Sequence, residues 1–106
     1  MSKLIYNICF IQKEMQVVNI LKCASAGTLE SSDVYVEVEP SNNGLLIDLD
    51  SVVIEQFGEK IKEVVKEVFA EQDVKNATVR LQDKGALECV IRARVESAIL
   101  RGRGDL

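Results

Sequence analysis

No histidine and no tryptophan occur anywhere in the 106 residues, and there is a single proline. Histidine is the usual general base, nucleophile activator and transition-metal ligand, so its absence excludes Ser-His-Asp and Cys-His triads and most zinc sites. Three cysteines, Cys9, Cys23 and Cys89, are an odd number at unrelated spacings. They match neither a disulfide framework nor a CxxC metal site and read as free thiols in a reducing cytosol, so a cytoplasmic location is expected. Positive charge is also in short supply. Thirteen basic residues are scattered among seventeen acidic ones for a net charge of −4, which speaks against nucleic acid or an anionic membrane surface as partner. Long apolar runs are missing too: no stretch approaches the roughly 20 residues a bilayer demands. The opening Met1 to Gln16 has a lysine followed by Leu4 to Ile11, but Asn7 and Gln12 interrupt it and no small-residue cleavage site follows, so export is rejected. No glycine-rich phosphate loop of either common pattern is present.

What remains is the material of one small domain, 47% of it apolar. Residues 1–23 are assigned to an N-terminal extension of uncertain order, with Met15 as an alternative start, residues 24–102 to the domain, and residues 103–106 to a tail. The most informative segment is Ala26 to Asp33, AGTLESSD, which offers Ser31 as an attachment point. Without histidine this serine is not a self-activated nucleophile. Glu30 and Asp33 flank it, but nothing in the local pattern buries them to raise a pKa for acid/base work.

Periodicity divides the rest. Val34, Val36 and Val38 alternate with Tyr35, Glu37 and Glu39, which predicts a half-buried strand over Asp33 to Glu39. Pro40 to Gly44 is a turn cluster in which Asn43-Gly44 supplies positive φ. Leu45, Ile47 and Leu49 then alternate with Leu46, Asp48 and Asp50, so the two strands read as a hairpin, with Asp48 and Asp50 on a solvated face. Ser51 is placed as the N-cap of a helix running to about Glu71, whose apolar stripe is Ile54, Phe57, Ile61, Val64, Val65 and Val68. A third strand covers Ala77 to Gln82 and stops at the turn Asp83-Lys84-Gly85. Ala86 to Arg101 fits either alternation or a helix, and its length and its Ala, Leu, Glu and Arg content favour the helix. Gly102 and Gly104 then release the chain. The predicted fold is α+β: a two-layer α/β sandwich in the order β-β-α-β-α, with a three-stranded mixed sheet and two helices on one face.

AGTLESSDV at Ala26 to Val34, QFG at Gln56 to Gly58 and DKGALECVIRARVE at Asp83 to Glu96, in this order and spacing, resemble the citrate lyase acyl carrier protein, the gamma subunit of that complex. The likeness runs from about Ala26 to Arg101. It implies a non-catalytic carrier whose serine after the glutamate, here Ser31, holds 2'-(5''-phosphoribosyl)-3'-dephospho-CoA through a phosphodiester. Ser32, next to it, is the alternative. The resemblance further implies a prosthetic-group transferase that loads the chain, an alpha subunit that exchanges acetyl for citrate on the carrier's thiol, and a beta subunit that cleaves the citryl thioester to oxaloacetate. A carrier needs no histidine or metal of its own, because the cofactor and partner sites supply the chemistry. The carrier subunit of malonate decarboxylase is a close rival, and a non-carrier α/β binding module in which Ser31 only shapes a turn is a rival of another class.

Strand directions add a geometric expectation. A crossover through the first helix makes the second and third strands parallel and the first strand antiparallel to both. Ser31, Ser51 and the Asp83-Lys84-Gly85 turn then share one sheet end with both helix N-termini, where Lys84 and the backbone amides would favour a phosphate.

Overall fold

A computed structural model describes residues 20–104, and its elements run β1 (Ala24–Gly27), β2 (Val34–Pro40), β3 (Leu45–Ser51), α1 (Ile54–Glu71), β4 (Ala77–Asp83) and α2 (Glu88–Arg103). Cys9 and most of the expected N-terminal extension lie outside the described residues.

The order is β-β-β-α-β-α, and the sheet has four strands instead of three. The additional strand, β1, is Ala-Ser-Ala-Gly, which lacks the branched and aromatic side chains that mark a strand in sequence. It forms because β2 offers an edge, against which Ala24 to Gly27 pair antiparallel with Val38 to Tyr35.

The expected hairpin does not form. Sheet order is β1-β2-β4-β3, with β4 inserted between β2 and β3, antiparallel to the first and parallel to the second. Strand directions match the expectation while adjacency does not. The inward residues of β4, Ala77, Val79 and Leu81, are at most 1% exposed, so β4 takes the position covered on both sides. Those of β3, Leu45, Ile47 and Leu49, are only half-buried, as suits an edge. The segment 41–44 therefore crosses the start of β4. The Ala77 N–H donates to the Gly44 carbonyl at 3.1 Å, and the Gly44 N–H donates to the Asn76 side chain at 3.0 Å. Gly44 still takes the positive φ that Asn-Gly implied.

Both helices cover the face carrying Val34, Val36, Val38, Ala77, Val79 and Leu81. Each valine and the leucine among them contributes about 1.5–3 kcal/mol on full burial. From α1 the buried residues are Gly58, Ile61, Val64, Val65, Val68 and Phe69; Ile54 and Phe57, expected in the stripe, stay exposed. Ala86 to Arg101 resolves as helix α2, which buries Ile91, Val95, Ala98, Ile99 and Gly102. Gly102 lies inside this helix, where a Cβ would come within 3.1 Å of both Ile20 and Val38, and the chain leaves the helix at Gly104. The N-cap of α1 is Val53, with no side-chain cap; Ser51, expected there, closes β3. No described helix is long and apolar enough to cross a membrane.

Candidate functional site

The β1–β2 connection starts at Gly27 with φ of +94°, where a Cβ would stand 1.8 Å from the Val34 carbonyl oxygen. Only glycine allows β1 to approach β2 so closely as the chain turns out into the loop. Beyond it, the Thr28 hydroxyl accepts the Glu30 N–H at 3.2 Å and donates to an Asp33 carboxylate oxygen at 2.7 Å. The Asp33 N–H reaches back to the Glu30 carbonyl at 3.2 Å, which makes Ser31 and Ser32 the corners of a β-turn. Ser32 takes the left-handed φ of 65° that this turn requires, and Ser31 is exposed beside it.

Asp33 anchors the loop. Its carboxylate accepts the Val34 N–H at 2.8 Å and two N–H groups of Arg94, from α2, at 3.1 and 3.0 Å. The Thr28 hydroxyl first, then Arg94 and the Val34 amide, hold its pKa down to about 2. Asp33 is therefore a charged brace and not an acid/base group. Among the described residues the Ser31 hydroxyl has no hydrogen-bond partner, so Thr28, Asp33 and Arg94 shape this loop without it.

A second loop meets the first. The Ser32 N–H donates to the Lys84 carbonyl and the Lys84 N–H to the Asp33 carbonyl, both at 2.9 Å, extending the β2–β4 ladder past its last pair, Val34 with Asp83. Asp83 itself is 1% exposed. It accepts the Ser51 hydroxyl at 2.7 Å and the Ala86 N–H at 2.9 Å, while Ser51 accepts the Val53 N–H at 3.0 Å. Its carbonyl accepts the Val52 N–H at 3.2 Å. These bonds bring the start of β2, the ends of β3 and β4 and the first turns of both helices to one end of the molecule. Ser31 and Lys84 stand there together, Lys84 with an exposed side chain.

Neither the Asp33–Arg94 pair nor the role of Asp83 was anticipated. Arg94 is 61 positions from Asp33, and no local pattern links them. The DKG string announced a turn, while the burial of Asp83 depends on Ser51 arriving from β3. Of the other arginines, Arg80 pairs with Glu39 across the sheet, and the half-buried Arg92 pairs with Glu67, Glu71 and Glu88. Cys23 and Cys89 are free and exposed, and no metal-holding cluster occurs among the described residues.

A family model described as ACP, Malonate decarboxylase delta subunit (MdcD), matches residues 22–102. The chain is 52% identical over 83 residues to citrate lyase acyl carrier protein 2 of Salmonella typhimurium strain LT2, covering 77% of this chain and 86% of that one. Identity to the citrate lyase acyl carrier protein of Klebsiella pneumoniae is 54% over 79 residues, 74% of this chain and 81% of the relative. Among solved structures, a chain of a Pseudomonas malonate decarboxylase hetero-tetramer in complex with malonate superposes with a TM-score of 0.69 over 78% of this chain and 86% of that one. At 24% identity this likeness speaks for the fold alone.

Proposed function

The chain belongs to the acyl carrier protein family of citrate lyase and malonate decarboxylase, and from that premise we propose that it is the acyl carrier subunit of a citrate lyase, loaded at Ser31. The carrier itself is non-catalytic and works within a multi-subunit complex. Identity above 50% to citrate lyase carriers, against 24% to the malonate decarboxylase chain, favours citrate as the acid handled.

The observation that carries Ser31 is its place on a turn braced entirely by other groups. A serine needed to shape its loop would lose that bond on modification. Here a phosphodiester on the exposed hydroxyl breaks none. The residues fit 2'-(5''-phosphoribosyl)-3'-dephospho-CoA in charge as well: Lys84 and the first turns of α1 and α2 lie at the same sheet end and favour an anion. When bound, that group supplies a terminal thiol for acyl transfer. The protein holds the arm at a rigid corner, so the partner alpha and beta subunits meet the acyl group at high effective concentration and modest docking affinity suffices. A dedicated transferase would load Ser31, since without histidine the serine is not a self-activated nucleophile.

Intact mass of the chain from its native host tests this. A large covalent addition that Ser31→Ala lacks is expected. An unmodified chain in a host with an active complex overturns the carrier reading, and an addition that persists in Ser31→Ala but not in Ser32→Ala moves the site by one residue.

A further inference from the structure

Between the N-terminal halves of α1 and α2 lies an open apolar groove of about 350 Å³, lined by Val53, Phe57, Ile61, Val64, Leu87 and Ile91. Leu87 is 70% exposed and Phe57 52%, although both belong to the family-like strings of the sequence. Lys60 and Glu88 pair at 3.9 Å from one helix to the other at this groove. Small-molecule sites have this character: concave, largely apolar, an aromatic ring and a few polar groups.

We propose that the groove is the resting berth of the adenosine portion of the prosthetic arm, its base stacked on Phe57. The proposal rests on Ser31 as the attachment point. Reach supports it. The Ser32 N–H is bonded to the Lys84 carbonyl, and Leu87 follows Lys84 by three residues, each step spanning 3.8 Å or less between α-carbons. The near wall of the groove therefore begins three residues beyond the loop to which the Ser31 turn is bonded, at the same end of the molecule. Chemistry narrows the occupant. Adenine is the only aromatic surface on the arm, and a flat base against an exposed phenylalanine gains stacking as well as burial. Lys60 and Glu88 offer a donor and an acceptor to the polar edge of the base. Seating the adenosine shortens the free arm to its pyrophosphate and pantetheine segments, so the thiol sweeps a smaller volume around a fixed pivot.

The test compares NMR spectra of the full chain loaded at Ser31, verified by intact mass, with those of the unloaded chain. Loading shifts the signals of Phe57, Leu87 and Ile91 as well as those of residues 28–33. Free dephospho-CoA added to the unloaded chain moves the same groove signals, and Phe57→Ser weakens that binding about tenfold, as expected for losing one base–ring stack. Leu87→Ser, also an exposed position, weakens it in parallel and guards against a folding defect in the first variant. A loaded chain whose shifts stop at the Ser31 and Lys84 loops overturns the berth while leaving the carrier assignment standing. Groove signals that respond only to an added alpha or beta subunit also overturn it, and make the groove a partner surface. A native chain with no addition at Ser31 takes both down.

Discussion

The Ser51 hydroxyl donates to the buried Asp83 carboxylate at 2.7 Å, joining the last residue of β3 to the last residue of β4. The same carboxylate receives the Ala86 N–H, so one side chain sets the end of two parallel strands and the approach to α2.

Removing it leaves a buried hydroxyl and a backbone amide without their acceptor. Asp83→Ala is expected to destabilise by about 2–4 kcal/mol, whereas Ser51→Ala, which leaves the Ala86 bond in place, costs about 1–2 kcal/mol. Urea denaturation with an unchanged m-value checks both. Equal losses would show that the Ala86 bond adds no more than the Val53 N–H bond that Ser51→Ala removes.

Acid stability should report the Asp33 brace. Its pKa is lowered from 3.8 to about 2 by Thr28, Arg94 and the Val34 amide, so the folded chain binds its proton less readily than the unfolded one. The stabilisation is complete above about pH 4 and drains away as pH falls towards 2. Denaturation midpoints measured from pH 5 to pH 2 should fall more steeply for the parent chain than for Asp33→Asn, the two converging at the acid end. Parallel curves would remove Asp33 as the cause.

Gly27 and Gly44 share a positive φ but not surroundings. A Cβ at Gly27 meets the Val34 carbonyl at 1.8 Å, while nothing lies within 4 Å of one at Gly44. Gly44→Ala should cost only the backbone strain, about 1–2 kcal/mol. Gly27→Ala must also push β1 off β2, with a loss above about 3 kcal/mol and faster amide exchange across Ala24 to Gly27. Similar effects for the two would contradict the close approach.

Ser32 sits in the left-handed region at φ 65°. Ser32→Gly relieves that strain and should be neutral to about 1 kcal/mol stabilising, with the prosthetic addition at Ser31 retained in the intact mass. Ser31→Gly loosens the turn and abolishes the addition.

Amino-acid pattern alone determined much of this protein. Alternating valines and leucines marked three strands, helical spacing marked α1, and the absence of histidine pointed away from independent catalysis before any fold was known. AGTLESSD and DKGALECVIRARVE identified the kind of chain, because those strings combine a glycine, a turn and an exposed serine whose requirements are local. Tertiary structure decided what depends on partners distant in the chain. Asn43-Gly44 looks the same whether the chain doubles back or crosses β4, and only the full burial of Ala77, Val79 and Leu81 selects the crossing. Ala24 to Gly27 become a strand only against the edge of β2, and Gly102 stays helical because Ile20 and Val38 close over it. Asp33 meets Arg94 and Asp83 meets Ser51 across 61 and 32 positions. Such contacts carry no periodic signature, since chain distance leaves the approach of two side chains to the packing of everything between them.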